Sequence, residues 1–354
     1  MRAESPYLLA KIWTVLTSLK KEKKGKEGYV YVSYGHPKYL KHTIASIITL
    51  RRYDKIRPVA LVCSDKQRKI IEEQNLTELF DVIQLLPEKH SSIVGFKHNV
   101  HHYMIFERNL FLDSDIVWCK NPDPLWTSFS TYDFTITGNL ISDSFFGATK
   151  GVGVLLDVLL RRRKRTLKRF GLTYLSRVQS GMMYAADYEL TKKVCLLASE
   201  MLDRKDETHF RSRKMEQGRT MESCEWSLAM AMSKLNVAVF PWLQGFESPQ
   251  LDYISELTEH DDDFQYVRCK YYSHEFVFSF RGLKSKWFRT ILYSFFSLFT
   301  GMGDYLYVTP YCIHFGWYHQ KMPFNALSEV IWKKITDNTI SIQSIRDRAQ
   351  SVNQ

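Results

Sequence analysis

From Tyr29 onward the chain alternates short β-branched and aromatic runs with longer segments whose apolar residues recur at helical spacing. YVYVS (29–33) stops at Gly35, YLKHTIASIITLRRY (39–53) is broken by Arg57-Pro58, and PVALVCSD (58–65) is again strand-like. KQRKIIEEQNL (66–76) is amphipathic, and DVIQLL (81–86) closes the series. Strand, helix, strand, helix, strand has few solutions, because parallel strands need crossovers and the crossover helices must cover the sheet faces. The predicted fold class is therefore α/β, a mainly parallel sheet flanked by helices. A helix-like stretch from Lys97 to Phe106 leads into NLFLDSDIVW (109–118), whose leading apolar residues suit a buried central strand. Further on, TYDFTIT (131–137) reads as a strand and GVGVLLDVLLRRRKRTLKRFG (151–171) as one helix. SGMMYAADYE (180–189) reads as a strand leading into the helix LTKKVCLLASEML (190–202). SCEWSLAMAMSKL (223–235) is a helix followed by the strand VAVFPW (237–242), and Asp203 to Arg219 is a charged, exposed loop or helix.

With 354 residues, 45% of them hydrophobic and 14% aromatic, the chain can bury a substantial core, which excludes disorder and a disulfide-stapled mini-protein. The expected organisation is a basic extension (1–28), one catalytic domain (29–322), and a C-terminal tail (323–354) of one or two surface helices. Lys and Arg exceed Asp and Glu by 49 to 38, a net charge of +11 that draws the chain toward nucleic acid, an anionic membrane face or a phosphate-bearing small molecule. The six cysteines sit singly in or beside apolar runs without a CxxC pair, as reduced core thiols of a cytoplasmic protein do. Lys11 interrupts the apolar stretch from Tyr7 to Leu19, so no signal peptide is expected. Ile291 to Thr300 is far short of the roughly 20 residues that span a bilayer.

The residues that speak to chemistry are Asp113-Ser114-Asp115, directly after the apolar strand. Two carboxylates one residue apart at a strand's carboxyl end can converge on one hard divalent cation. Open α/β sheets also place their ligands at that end. Two aspartates in a turn are ordinarily just solvated; here the strand before them and NPDPLW after them separate the pair from that reading.

The stretch LFLDSDIVWCKNPDPLW (110–126) resembles the LYLDADTLVLxNPDxLF of nucleotide-sugar glycosyltransferases of the GT-A fold. The likeness is to the glycogenin-like and bacterial lipopolysaccharide galactosyltransferase-like group, glycosyltransferase family eight. QSGMMY (179–184) is similar to that family's NSGVML, and CEWSLAMAMSKLNVAVFPW (224–242) to its DQDxLNxxL helix and following strand. HFGWYHQK (314–321) is similar to its HFxGxxKPW, with the glycine one residue early and the lysine one residue late.

The resemblance implies a metal-dependent hexosyltransferase that takes a UDP-sugar donor, uses Mn²⁺ or Mg²⁺, and retains the anomeric configuration. Its implied metal ligands are Asp113, Asp115 and His314, with His319 as a rival to His314. Tyr39 stands where a uracil ring stacks, Lys97 and Lys321 where the diphosphate is met, and Ser180 and Gly181 where backbone approaches the donor sugar. Glu225 orients the sugar or acceptor, or caps its helix, and Asp143 is a further sugar contact. For Tyr39 the alternative is an ordinary core aromatic.

LFLDSDIV also fits the nucleophile motif of haloacid-dehalogenase-like phosphatases. Those carry DxD on the first strand, whereas here three strands precede it and Asp261-Asp262-Asp263 follows none. The basic run Arg161 to Arg169 has no aromatic interleaving, which argues against a nucleic-acid binder. KSKWFRTILYSFFSLF (284–299) reads either as a helix lying in an anionic membrane interface or as a buried core helix. The acceptor expected is a glycan or a lipid-linked glycan.

Overall fold

The computed structural model describes residues 25–142, 146–147, 153–212, 214, 222–272, 283–299, 304–337, 339, 341–342 and 345. Asp143 and most of the basic extension lie outside them. Strands β1 (Glu27–Ser33), β2 (Val59–Cys63), β3 (Val82–Leu85) and β4 (Arg108–Leu112) run parallel, joined by α1 (Lys38–Arg51), α2 (Asp65–Glu73) and α3 (Ile93–Lys97). After β5 (Ile116–Trp118) and α4 (Asp123–Phe129) come β6 (Phe134–Asn139), α5 (Gly153–Leu159), α6 (Arg162–Phe170), β7 (Arg177–Ala185), α7 (Tyr188–Asp203), α8 (Glu225–Lys234) and β8 (Phe240–Pro241). The chain ends with β9 (Gln250–Asp252), β10 (Thr258–His260), β11 (Val267–Tyr272), α9 (Lys286–Phe296), β12 (Tyr305–Val308), β13 (Cys312–His314) and α10 (Met322–Thr336).

The central sheet has the order β3-β2-β1-β4-β7-β6-β8, with β7 antiparallel to both its neighbours. It is the mainly parallel, helix-flanked α/β sheet that the sequence predicts. Tyr29 and Tyr31 of β1 face one core, with Leu61, Leu110 and Trp118, while Val30 and Val32 face a second, with Val62 and Phe111. Burial of both faces explains why these strands read as continuous apolar runs. The tyrosine hydroxyls are satisfied: Tyr29 donates to Asp54 at 2.6 Å, and the Trp126 and Trp118 indoles donate to Tyr29 and Tyr31 at 2.9 and 3.1 Å.

Several expectations need correction. The stretch from Lys97 to Phe106 is not one helix: α3 ends at Lys97 and a 3₁₀ turn covers Val100–Tyr103. The segment 151–171 forms two helices, because Arg161 adopts a left-handed conformation (φ 49°) between them. Asp261 does follow a strand, the short β10, and its carboxylate accepts the Gln265 and Tyr266 N–H groups in a turn. α10 is no mere surface helix, since Phe324, Leu327, Ile331 and Ile335 join the core beneath it and its Asn325 and Glu329 bond His42 and Lys41 of α1. α9 is not a core helix: Arg289 and Tyr293 face inward while Trp287, Phe288, Ile291 and Phe295 are exposed. All six cysteines are buried and unpaired. Among the described residues no helix is long and apolar enough to cross a membrane.

Several of the described histidines sit where charge is unwelcome. His98, between α7 and α8, bonds Ser227 at 3.0 Å and Ser199 at 3.3 Å. Burial lowers its pKa, and those of His42, His101 and His209, to about 4. The unfolded chain protonates these rings below about 6.5 while the folded chain does not, so their stabilising effect is intact above pH 6.5 and is lost as pH falls toward 4. Thermal melts should show Tm falling across that window; a Tm flat from pH 7 to 4 would contradict this account.

Candidate active site

Because β2 and β3 lie on one side of β1 and β4 on the other, the strand order reverses between β1 and β4. Ligands of open α/β sheets bind at the carboxyl ends of strands flanking such a reversal. Asp113 follows β4 at that point, and its N–H bonds the Gly181 carbonyl of β7 at 3.0 Å. Three residues on, Ile116 starts β5, the edge of a three-stranded sheet ordered β5-β13-β9. The antiparallel register pairs His314 with Ile116, which carries the imidazole back beside Asp115 from 199 positions away in sequence.

The carboxylates are divided between two lysines. Lys97 Nζ lies 2.7 Å from Asp113 Oδ1 and donates to the Ser180 carbonyl at 2.5 Å and hydroxyl at 3.0 Å, so all three of its protons have acceptors. Lys321, at the start of α10, reaches Asp115 Oδ2 at 2.5 Å. Each aspartate keeps one oxygen turned toward His314: Nε2 lies 3.6 Å from Asp113 Oδ2 and 3.5 Å from Asp115 Oδ1. Burial alone would raise both carboxyl pKa values; Lys97 and His314 hold Asp113, and Lys321 and His314 hold Asp115, below the usual carboxylate range. Burial opposes the charge on His314 and both lysines, yet the aspartates raise all three pKa values.

Two carboxylate oxygens and one imidazole nitrogen suit Mn²⁺ or Mg²⁺. The candidate ligand atoms of Asp113, Asp115 and His314 lie within 4.8 Å of one another. Neighbouring ligands on an octahedral ion with bonds of about 2.0–2.1 Å stand roughly 3 Å apart, so small side-chain rotations complete the geometry and the residues fit the ion. Gly181 leaves room for it: a Cβ there would sit 3.2 Å from both His314 Nε2 and Gln250 Oε1.

Seven sequence candidates thus meet around one centre: Asp113, Asp115, His314, Lys97, Lys321, Ser180 and Gly181. Tyr39, at the start of α1 where the chain leaves β1, keeps 36% of its surface, so it is not a core aromatic; its ring meets His42 edge-on at 6.0 Å. Glu225 begins α8, half-buried and outside the ligand group, and its charge is among those that raise the Lys97 pKa. His319 also stands outside that group, packed near Trp317. Sequence reasoning missed Asp252, Gln179 and Trp317, which form the wall behind His314. Asp252 lies in a three-residue strand that carries no periodic pattern.

No protein-family profile matches the sequence, and no curated protein matches it. Solved structures with similarity include mouse xyloside xylosyltransferase 1, at 13% identity over 64% of this chain and 87% of that one, with a TM-score of 0.40. The glycosyltransferase GlyE of Streptococcus pneumoniae gives 11%, 93%, 64% and 0.46 for the same measures. The galactosyltransferase LgtC, solved with donor and acceptor sugar analogs, gives 13%, 88%, 95% and 0.45.

Replacing Lys97 by Met removes one partner of a buried charge pair. A fully buried pair broken this way costs about 3–5 kcal/mol. Asp113 keeps 27% of its side-chain exposure, so a loss on the order of 2 kcal/mol is expected in urea unfolding of the metal-free protein. A variant as stable as wild type would show that the pair does not hold the site together.

Proposed function

We propose that the protein is a metal-dependent GT-A glycosyltransferase that moves a hexosyl group from a UDP-sugar to a glycan or lipid-linked glycan acceptor, with retention. The observation that carries this reading is the convergence of Asp113, Asp115 and His314 at the β1/β4 switch point, flanked by Lys97 and Lys321. A bound Mn²⁺ or Mg²⁺ supplies Lewis-acid neutralisation of the nucleoside diphosphate leaving group. Asp113, Asp115 and His314 would hold it. Lys97 and Lys321, kept cationic by the aspartates, add fixed positive charge for the diphosphate oxygens. In this reading Tyr39 offers its exposed face to the uracil, Ser180 and Gly181 bring backbone to the donor sugar, and Glu225 orients sugar or acceptor.

The reading is tested by incubating the protein with Mn²⁺ and a panel of UDP-sugars and following UDP release. Asp115→Asn should abolish the release. Donor binding that is indifferent to Mn²⁺ and unchanged in Asp115→Asn would overturn the proposal.

The same reading places the enzyme at the cytoplasmic face of an anionic membrane. Six unpaired thiols support a reducing compartment. α9 supports the surface: Arg289 is clamped to Glu256 at 2.8 Å and Tyr293 stacks on Tyr272, so the inner face is anchored. Trp287 and Leu298, 73% and 81% exposed, face outward with Lys284 and Lys286 beside them. Wild type should co-sediment with phosphatidylserine vesicles, and Trp287→Ala combined with Leu298→Ala should release it. Sedimentation equal in both proteins, or absent in wild type, would refute the membrane claim.

A further inference from the structure

The wall behind His314 holds a carboxylate that the proposed chemistry does not itself consume. We infer that Asp252 is a positioning residue that fixes the tautomer and orientation of His314, so that Nε2 presents its lone pair between Asp113 and Asp115. The inference rests on the metal-dependent reading above.

Its basis is the three-stranded sheet. β13 lies between β5 and β9, and its register places His314 opposite Ile116 on one side and Asp252 on the other. Residues paired across neighbouring strands project to the same face. One short sheet therefore puts the imidazole and a third carboxylate on one face, and the aspartate pair lies in the turn just before β5. Asp252 Oδ1 lies 3.0 Å from His314 Nδ1, and the Asp252 side chain keeps only 5% of its exposure. Its other oxygen accepts the Trp317 indole N–H at 3.2 Å, and the Gln179 amide also donates to Oδ1. The carboxylate is thus held from both ends.

Gln179 constrains the tautomer, because its Nε2 also lies 2.9 Å from His314 Nδ1. Nδ1 cannot accept a proton from Gln179 and donate one to Asp252 at the same time. If it accepted from Gln179, the neutral ring would carry its hydrogen on Nε2, with no lone pair left for a cation. If it donates to Asp252, Nε2 is free for the cation, and Gln179 still has Asp252 as acceptor. Only the second arrangement satisfies every group in the wall while leaving Nε2 able to bind metal. A carboxylate behind a ligating imidazole also raises its basicity, and losing such a partner typically costs about 10- to 100-fold in metal affinity.

The test uses the full-length protein with Mn²⁺ alone as the probe, titrated by calorimetry and by the loss of the free-ion electron paramagnetic resonance signal. Asp252→Asn, which preserves shape, should weaken Mn²⁺ binding by about 10- to 100-fold. A second readout is taken on wild type and so does not depend on a variant folding: in Mg²⁺-loaded protein, nitrogen-15 imidazole spectra should show His314 with its hydrogen on Nδ1. Mn²⁺ affinity within twofold of wild type in folded Asp252→Asn, or a hydrogen on Nε2 in the loaded wild type, overturns the inference and leaves the metal-dependent reading standing. Wild type that binds no Mn²⁺ overturns both.

Discussion

Two aspartates one residue apart and largely out of water repel each other, and the centre of this protein is organised around resolving that repulsion. Lys97 takes one oxygen of Asp113, Lys321 takes one oxygen of Asp115, and His314 faces the two that remain. A charge buried without a partner is costly, so the three cations must arrive together. They come from the end of α3, the end of β13 and the start of α10. That requirement ties the C-terminal quarter of the chain to the parallel sheet.

The tie is built in backbone. The central sheet brings Asp113 to the switch point between β1 and β4, and the chain then leaves it through β5, which becomes the edge of the β5-β13-β9 sheet. β13 has three residues, yet its register brings His314 beside the DxD turn and Asp252 behind His314. After a 3₁₀ turn at Tyr318–Gln320, α10 seals the arrangement with Phe324 and Leu327 in the same core as Tyr29 and Tyr31. Packing, topology and site electrostatics are therefore one system, and the exposed face of α9 stands apart from it, with Arg289, Tyr293 and Phe296 on the anchored side.

The parallel half of the fold was legible because its strands are buried on both faces and its helices keep a 3.6-residue period; β1 to β4 need no more than pattern. The DxD turn was legible because it interrupts such a strand. His314, Lys321, Lys97, Ser180 and Gly181 were reached only through family resemblance, since no local pattern marks a lone histidine or lysine as a partner of residues far away in sequence. β9, β12 and β13 escaped because strands of three or four residues are too short to show alternation. Asp252 escaped for that reason, its role existing only in the register across to β13. The break at Arg161 was hidden by helix-forming residues on both sides, and the end of α3 at Lys97 carries no proline or glycine to announce it.

The most direct measurement is a crystal structure of the protein soaked with Mn²⁺ and UDP, with anomalous data collected at the manganese edge. One anomalous peak is expected, bonded to Asp113 Oδ2, Asp115 Oδ1 and His314 Nε2, with the UDP diphosphate beside it and within reach of Lys97 and Lys321. A site without manganese, with both lysines still closed on the aspartates and UDP bound elsewhere or not at all, would contradict it.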